Sequence, residues 1–536
     1  MQKQLHLIIF LATFCFAQAQ EHARIFFTDK ADVANSIANP ETILTPKAVA
    51  RKQKFSVPID ETDVPVNENY LATLKSQPGI TVKAKSKWFN MAHVVGNKFD
   101  IQALSSLPFV SKIVFADRTL NPPPKTQQPN KFQDKSAALV NFNYGTSANQ
   151  VQMLNVHLLH QQDFTGEGVT IGVMDGGFPG VGTLAAFDRM WTAGKLLGGY
   201  DFVSRNPDFL AFTGDQHGTN VLSTMAAFVD GQLIGTAPDA FYYLFRTEDV
   251  ASETPVEESY WVEAAERADS LGVDVLNTSL GYSIFDDSRF NYSTTDMNGQ
   301  TAFITQGADI AFDKGMIVVN AAGNSGNDSS WRIVTAPADG FKVLAVGAVD
   351  ASGNVASFSS RGTSADGRIK PDVVAKGKGA LVVNISNAVV AIDGTSFSSP
   401  IMAGSVASLW QAFPNKSNIE IVNIIKESSS IFSSPNNDLG FGIPDFSAAL
   451  NALSLADFSP VQIKIFPNPV QRFLTLRVDG NFPKMVFQIF DLLGRNVKSF
   501  VLTENISNID MTDLTSGIYL GRIQSDFSKT FKIIKQ

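Results

Sequence analysis

Between Gly168 and Leu453, short apolar segments with strand character alternate with segments that carry the residue spacing of helices. The predicted strands are residues 169–174, 241–245, 273–277, 316–320 and 343–349. The predicted helices are residues 219–228, 259–271, 302–314 and 398–413. Strands that are apolar on both faces need helices on both sides of their sheet. Residues 146–455 are therefore predicted to form an α/β domain, a parallel sheet in a three-layer αβα arrangement.

The length and composition leave room for further domains. With 536 residues the chain exceeds one compact core, so about two to four domains are expected. Charged residues make up 18% and hydrophobic residues 44% of the chain, and the formal net charge is −8. This composition is typical of globular proteins. It has no basic surplus, which argues against nucleic acid as a partner.

Residues 1–19 have the pattern of a secretory signal peptide. Lys3 precedes an apolar run over residues 5–17, and Ala17-Gln18-Ala19 provides a small-residue cleavage site. A membrane anchor is the alternative, but the run is too short to span a bilayer. We therefore predict no transmembrane anchor after the signal is removed. Cys15 is the only cysteine, so the mature protein should contain no disulfide.

A small domain and a linker precede the α/β domain. Residues 20–118 contain short predicted strands with two helices between them, which indicates a small α+β domain. Residues 119–145 begin with the Pro-rich stretch Leu120-Asn121-Pro122-Pro123-Pro124 and are predicted to be an exposed linker. This order suits a removable pro-segment with an activation cleavage in the linker. An ordinary N-terminal accessory domain remains the alternative.

The last segment has a different pattern. Residues 460–536 alternate apolar with polar positions in several short runs, separated by turn signals such as Pro467-Asn468-Pro469 and Ser516-Gly517. Such alternation is typical of antiparallel strands with one buried face. We predict a small β-sandwich here.

Two candidate catalytic residues lie near predicted strand and helix ends. Asp175 follows the strand 169–174, where a carboxylate can be held rigidly and can orient an imidazole. His217, followed by Gly218-Thr219, opens a helix. Taken alone, Asp175 is more often a turn residue and His217 an ordinary surface histidine.

Two further candidates follow downstream. Asn324 comes after the strand 316–320 and small residues, where its amide could hydrogen-bond an oxyanion. Ser396 follows an apolar run over residues 381–390, predicted to be a buried strand, and opens a long helix. Free N–H groups at a helix start favour a developing negative charge. A turn-forming Asn and a Ser N-cap are the structural alternatives, but the order Asp, His, Asn, Ser is hard to obtain by chance.

These residues resemble the subtilisin-like serine peptidases, the subtilases of the S8 family, over roughly residues 166–450. The motifs that carry the resemblance are Val173-Met174-Asp175-Gly176-Gly177, His217-Gly218-Thr219, Asn277-Thr278-Ser279-Leu280-Gly281, Ala321-Ala322-Gly323-Asn324 and Gly394-Thr395-Ser396-Phe397-Ser398-Ser399-Pro400. The resemblance implies a subtilisin-like domain, and it implies that the domain at residues 20–118 is an inhibitory pro-domain.

The resemblance also implies roles for single residues. Asp175, His217 and Ser396 would form the catalytic triad, and Asn324 would stabilise the oxyanion. Ser279, Leu280 and Gly281 would pair with the substrate backbone, and Ala322 and Gly323 would line the specificity pocket. No cofactor is implied. No metal is predicted either, because residues 228–235 are shorter than the calcium loop of secreted relatives and contain no acidic cluster.

The last segment, from about Ile463, resembles the C-terminal sorting domain of type IX secretion in the Bacteroidota. The motifs are Phe466-Pro467-Asn468-Pro469, Phe490-Asp491-Leu492-Leu493-Gly494-Arg495 and Leu514-Thr515-Ser516-Gly517-Ile518-Tyr519. This resemblance implies contact with the secretion machinery and passage through the outer membrane. The protein would then be secreted, or attached to the outer cell surface.

The sequence thus predicts a secreted serine endopeptidase, made as a zymogen, that cleaves proteins or peptides. One alternative is an inactive subtilase-like protein that serves in surface binding or adhesion, although no triad member is missing. Another is carbohydrate binding by the last domain, which the absence of tryptophan after Leu455 argues against.

Overall fold

In the computed structural model, the described residues are 20–121, 142–457, 462–479, 485–491, 495–502, 506–524 and 528–536. The predicted signal peptide and most of the predicted linker lie outside the described residues. The chain divides into two compact units, Met1–Ser454 and Leu455–Gln536.

The N-terminal domain, residues 20–121, contains a four-stranded antiparallel sheet in the order β2-β3-β1-β4. Its elements are β1 (Gln20–Phe27), α1 (Val33–Ala38), α2 (Pro46–Lys54), α3 (Glu68–Lys75), β2 (Thr81–Ser86), β3 (Met91–Asn97), α4 (Lys98–Ala103) and β4 (Val110–Phe115). Helices α3 and α4 cover one face of this sheet through Leu71, Leu74 and Ile101, which join the strands in one core. The predicted α+β domain is confirmed, but α1 and α2 were not predicted.

The rest of the first unit is built around a seven-stranded sheet in the order β15-β12-β11-β10-β5-β9-β6, with all neighbours parallel. Its strands are β5 (Thr170–Asp175), β6 (Leu196–Asp201), β9 (Phe241–Arg246), β10 (Val275–Thr278), β11 (Ile317–Ala321), β12 (Leu344–Val349) and β15 (Val373–Lys376). The other strands are β7 (Phe228–Val229), β8 (Leu233–Ile234), β13 (Gly362–Thr363), β14 (Ile369–Lys370), β16 (Ala380–Val383) and β17 (Val389–Ile392). The helices are α5 (Ala148–Gln152), α6 (Val156–His160), α7 (Asp188–Thr192), α8 (His217–Ala226), α9 (Val256–Leu271), α10 (Phe303–Asp313), α11 (Thr395–Ala412), α12 (Asn418–Glu427) and α13 (Phe446–Asp457).

Both faces of the parallel sheet are buried, as the apolar strands predicted. Successive strand residues enter different cores: Val173 packs with residues of α8 and α11, whereas Met174 packs with residues of α9 and α10. This follows from the two-residue period of a strand. The predicted three-layer αβα arrangement is therefore confirmed.

Some element predictions were wrong in detail. The apolar run over residues 381–390 forms two short antiparallel strands, β16 and β17, and pairs with no strand of the large sheet. An apolar run by itself does not separate a central strand from a hairpin, because both bury the same residue types. Helix α11 begins at Thr395 instead of residue 398, so Ser396 is its second residue.

The N-terminal domain docks on α9 and α10 with the sheet face that α3 and α4 leave free. Trp88 and Met91 share a buried core with residues of these two helices, among them Trp261 and Phe303. Glu266 of α9 accepts hydrogen bonds from the backbone N–H groups of Lys87 and Trp88, at 2.9 and 3.0 Å. The α/β domain thereby supplies the acceptors that a turn of the N-terminal domain lacks.

A second contact between the two domains involves α2. Lys52 is fully buried and lies 3.0 Å from Asp63 and 3.1 Å from Asp269 at the end of α9. Lys314 pairs with the same Asp63 at 3.2 Å. Gly272 ends α9 in the left-handed region, and a Cβ there would lie 2.8 Å from the backbone nitrogen of Ala48. A glycine is therefore required both by the backbone conformation and by the close approach of α2.

The second unit contains two antiparallel sheets, of three and four strands. Its strands are β18 (Gln462–Phe466), β19 (Phe473–Asp479), β20 (Met485–Phe490), β21 (Asn496–Leu502), β22 (Ile506–Asp510), β23 (Gly517–Gln524) and β24 (Ser528–Lys535). Leu474, Leu476 and Ile509 of the smaller sheet share one core with Phe487 and Ile523 of the larger sheet. This is the predicted β-sandwich. Within the described ranges, the structure contains no helix that is both long and apolar enough to span a membrane.

Candidate active site

Asp175 and His217 are brought together at the carboxyl edge of the parallel sheet. Asp175 ends β5, is fully buried, and its Oδ1 lies 2.8 Å from Nδ1 of His217, the first residue of α8. The same Oδ1 accepts a hydrogen bond from the N–H of Gly176 at 2.8 Å. A Cβ at Gly218 would lie 2.4 Å from the carbonyl oxygen of Gly177, so α8 can start this close to β5 only with glycine after the histidine.

The electrostatic surroundings of His217 hold a proton on its ring. Burial lowers the pKa of the imidazole, but the charge and hydrogen bond of Asp175, followed by the charges of Asp215 and Glu248, outweigh burial and raise the pKa to about 9. An opposite charge within hydrogen-bonding distance favours the charged form of a titratable group. The ring therefore becomes neutral, and able to accept a proton, only as the pH approaches about 9.

The first turn of α11, which carries Ser396, lies beside the imidazole. The ring of Phe397, the next residue, lies 5.8 Å from the imidazole ring, measured between centroids. The Ser396 hydroxyl donates to the carbonyl oxygen of Ser279 at 3.1 Å, and the Ser279 hydroxyl donates to the carbonyl oxygen of Ser396 at 2.8 Å. Within the described residues the Ser396 hydroxyl makes no hydrogen bond to His217. Catalytic hydrogen bonds are often formed only when substrate is bound.

Asn324 is oriented by Thr395. Its Oδ1 accepts from the backbone N–H and from the hydroxyl of Thr395, both at 2.9 Å. Because these donors take the amide oxygen, the NH2 end of Asn324 is available for another acceptor. Thr395 also accepts from the N–H of Gly323 at 3.2 Å. This positioning role of Thr395 was not predicted, although the residue directly precedes Ser396.

The predicted substrate-binding residues lie on two segments beside Ser396. Ser279, Leu280 and Gly281 follow β10, and the Leu280 carbonyl oxygen accepts from the Asn320 side chain at 3.2 Å. Ala322 and Gly323 follow β11. The residue Thr335 lies between them: its Oγ1 would be 2.1 Å from a Cβ at Gly281 and 3.1 Å from one at Gly323.

A group of carboxyl side chains that lines a cavity together with His217 was not among the predicted site residues. They follow β9, where Glu248 and Asp249 come directly after Thr247, and continue into the first turn of α9. Their position after a strand of a parallel sheet was the available signal. Within the described residues, no group of three or more His, Cys, Asp or Glu side chains is placed to hold a metal ion.

Three family models match the chain. The peptidase S8 propeptide domain of Bacteroidota matches residues 22–135, the subtilase family matches residues 166–445, and the secretion system C-terminal sorting domain matches residues 464–536.

Several curated proteins are similar to the central part of the chain. Subtilisin DY from Bacillus licheniformis is 31% identical over 284 residues, which are 52% of this chain and 90% of that protein. Subtilisin Savinase from Lederbergia lenta is 30% identical over 278 residues, which are 52% of this chain and 89% of that protein. Subtilisin E from Bacillus subtilis (strain 168) is 29% identical over 300 residues, which are 56% of this chain and 70% of that protein. The crystal structure of MycP1 from the ESX-1 type VII secretion system matches with a TM-score of 0.44 and 22% identity, covering 61% of this chain and 93% of that chain.

Together these findings place a propeptide, a peptidase and a sorting domain in one chain. A propeptide indicates a zymogen, and the sorting domain implies secretion with export across the outer membrane. The similarity to subtilisins indicates a serine-type endopeptidase. Since the subtilase model covers more than half of the 536 residues, this chain belongs to the subtilase family.

Proposed function

We propose that the protein hydrolyses peptide bonds of proteins through Asp175, His217 and Ser396, with an acyl-enzyme intermediate. The observation that carries this proposal is the 2.8 Å contact between buried Asp175 and His217, beside a serine at the start of a buried helix. Asp175 keeps the proton of the neutral imidazole on Nδ1, which leaves Nε2 as the base.

The proposed reaction uses each of these groups in turn. The Ser396 hydroxyl rotates away from Ser279, His217 takes its proton, and Oγ attacks the scissile carbonyl. The N–H of Ser396 and the NH2 group of Asn324 would stabilise the oxyanion. His217 then protonates the leaving amine, and a water molecule repeats the sequence on the acyl-enzyme to release the product.

We also propose roles for the N-terminal and C-terminal domains. The N-terminal domain would inhibit the enzyme until the linker is cut, and its docking on α9 and α10 supports this role. The C-terminal domain would be the part that the type IX secretion machinery binds. A non-catalytic surface-binding protein is the alternative, and no observation on the site favours it.

A fluorophosphonate probe tests the proposed nucleophile directly. It reacts with a serine only where a base activates the hydroxyl and donors stabilise the resulting phosphoryl oxygen. The protein, cut in its linker, should gain one adduct, and peptide mapping should place it on Ser396. No adduct on the cut protein, together with intact casein after incubation, would favour the binding-protein alternative.

The raised pKa of His217 predicts an alkaline enzyme. Because only the neutral imidazole accepts the Ser396 proton, kcat/KM for an uncharged peptide should rise about tenfold per pH unit and level off above about pH 9. Asp215→Asn removes a charge that raises this pKa, so the inflection should move to lower pH. Asp230→Asn, at an exposed position in the β7–β8 turn, is the matched control and should leave the inflection in place. An inflection at or below pH 6.5, the ordinary value, would contradict this prediction.

Replacing Asn324 with aspartate tests the oxyanion site. The variant keeps an oxygen for the two Thr395 donors but loses the NH2 donor. We expect kcat to fall by about 10²–10³ with little change in KM, a magnitude taken from the corresponding loss in a subtilisin. A decrease of less than tenfold in a variant with an unchanged melting temperature would remove Asn324 from the proposed mechanism.

A further inference from the structure

Strands β10 and β11 run side by side and then separate at the edge of the sheet where the candidate active site lies. Their last paired residues are Thr278 and Asn320. Beyond this pair, β10 continues into residues 279–281, whereas the N–H of Ala322, after β11, donates to the carbonyl oxygen of Val346 in β12 at 3.0 Å. Because the two segments no longer pair with each other, backbone groups that lie between them need partners from elsewhere.

The side chain of Asn320 joins the two separating segments, residues 279–281 and 321–323. Its Nδ2 donates to the carbonyl oxygen of Leu280, in the first segment, at 3.2 Å and to that of Ala321, in the second, at 2.8 Å. One amide group thus gives each segment a donor that the sheet no longer provides. The two contacts also fix the orientation of the amide, because a flipped side chain would place its oxygen against two carbonyl oxygens.

The oxygen of the same amide has no partner. Asn320 is fully buried, and its Oδ1 makes no hydrogen bond within the described residues. A buried amide oxygen without a donor costs free energy, and such groups are rare in folded proteins. An aliphatic side chain would avoid this cost, as Val318 and Val319 do on the same buried strand. The stability of β11 therefore does not account for an asparagine here, whereas its two donor contacts do.

The first segment has a backbone edge that faces the nucleophile. The Leu280 carbonyl points towards Asn320, and successive carbonyls of an extended chain point to opposite sides. On that opposite side, the Ser279 carbonyl accepts from the Ser396 hydroxyl at 3.1 Å. Gly281 is exposed, and its backbone N–H and C=O make no hydrogen bond within the described residues. An extended peptide can therefore pair with this edge as an added strand.

We propose that Asn320 is a positioning residue for peptide binding, which sets the spacing between the two segments before a substrate binds. The free backbone edge at Gly281 and the NH2 donor of Asn324, one residue beyond the second segment, are then held at a constant separation. Groups that are fixed in advance bind more tightly, because no ordering is needed on association. This role rests on the peptidase function proposed above.

The length of the substrate tests this role in the enzyme cut in its linker. Two anilide substrates would share one P1 residue: the shorter has only an acetyl group before it, and the longer has the further residues P2 to P4. Asn320→Leu removes both donors together with the unpaired oxygen, so the melting temperature should change little. We expect the ratio of kcat/KM, longer over shorter substrate, to fall by about tenfold, the effect of one lost hydrogen bond.

Asn418→Leu is the matched control. Asn418 is also a buried asparagine, and its Nδ2 donates to the carbonyl oxygens of Phe312 at 2.6 Å and Met316 at 3.0 Å, at the opposite end of β11. This variant should keep the ratio of the unaltered enzyme. A fluorophosphonate probe has no peptide backbone, so it should label Ser396 at the same rate in both variants and in the unaltered enzyme.

An unchanged ratio in a folded Asn320→Leu protein would overturn the proposed role. A labelling rate that falls as much as turnover of the longer substrate would also overturn it, because Asn320 would then support the whole active site. Asn320→Ala removes the same donors without added bulk and repeats the test if the leucine variant does not fold. Cleavage of neither substrate by the unaltered enzyme, with no adduct on Ser396, would instead show that the proposed catalytic function fails, and this role with it.

Discussion

Replacing Ser396 with alanine is expected to leave the precursor uncut in the linker and casein intact. The variant loses the only group in the proposed site that can form the acyl-enzyme, while it gives up just one hydrogen bond, to Ser279. Turnover should fall by about 10⁶, which is the effect of removing the nucleophile of a subtilisin and is taken from that family. Intact-mass spectrometry of the precursor, with and without casein, measures both effects.

A control variant and two alternative outcomes show whether Ser396 is responsible for cleavage of the linker and of casein. Ser386→Ala, in the exposed turn between β16 and β17, is the matched control and should process itself and degrade casein. If the Ser396→Ala precursor shortens as the unaltered protein does, another protease matures this enzyme and self-activation is wrong. If the unaltered protein neither shortens nor degrades casein even after its linker is cut, the peptidase mechanism itself is contradicted.

Replacing Lys52 with methionine should strongly destabilise the precursor. Lys52 is fully buried between Asp63 of the N-terminal domain and Asp269 of α9. Removing one partner of a buried ionic network leaves charges without compensation, which costs about 3–5 kcal/mol. Burial lowers the pKa of Lys52, and the charges of Asp269 and Asp63 oppose this shift.

The loss should be measured as the free energy of unfolding in urea, with the Ser396→Ala precursor as the background so that no proteolysis intervenes. Lys85→Met is the matched control: Lys85 pairs with Glu68, and the two side chains are 42% and 64% exposed. Exposed pairs contribute about 1 kcal/mol or less. A loss at Lys52 no larger than the loss at Lys85 would show that the buried network does not hold the two domains together.

Features that depend on a few neighbouring residues were predicted, whereas features that depend on long-range pairing were not. Five strands of the large sheet were predicted because each is a short, continuously apolar run between helical stretches, whereas β6 and β15 were not predicted. The hairpin of β16 and β17 was missed because its residues are equally apolar, and pairing partners are not encoded in a local pattern. Helix α2 was missed since Arg51, Lys52 and Lys54 give it the composition of an exposed segment.

The same distinction applies to the site. Asp175, His217, Asn324 and Ser396 were found as candidates because each stands at a strand end or helix start, and their motifs resemble those of subtilases. Two features of the site were not predicted. Thr395 donates hydrogen bonds to Asn324, and one cavity is lined by Glu248, Glu253 and Asp215. Each of these depends on residues far apart in the chain or on which side of a loop a side chain points.

By itself, the sequence determined the fold class, the order of the domains and the class of enzyme, a serine-type endopeptidase. These follow from residue periodicity, turn signals and motifs, which act within a few residues. The tertiary structure alone decided which charges are buried together, as Lys52, Asp63 and Asp269 are. Lys52 and Asp269 are 217 positions apart, and whether their charges stabilise the protein depends on the distance and solvent exposure that folding gives them.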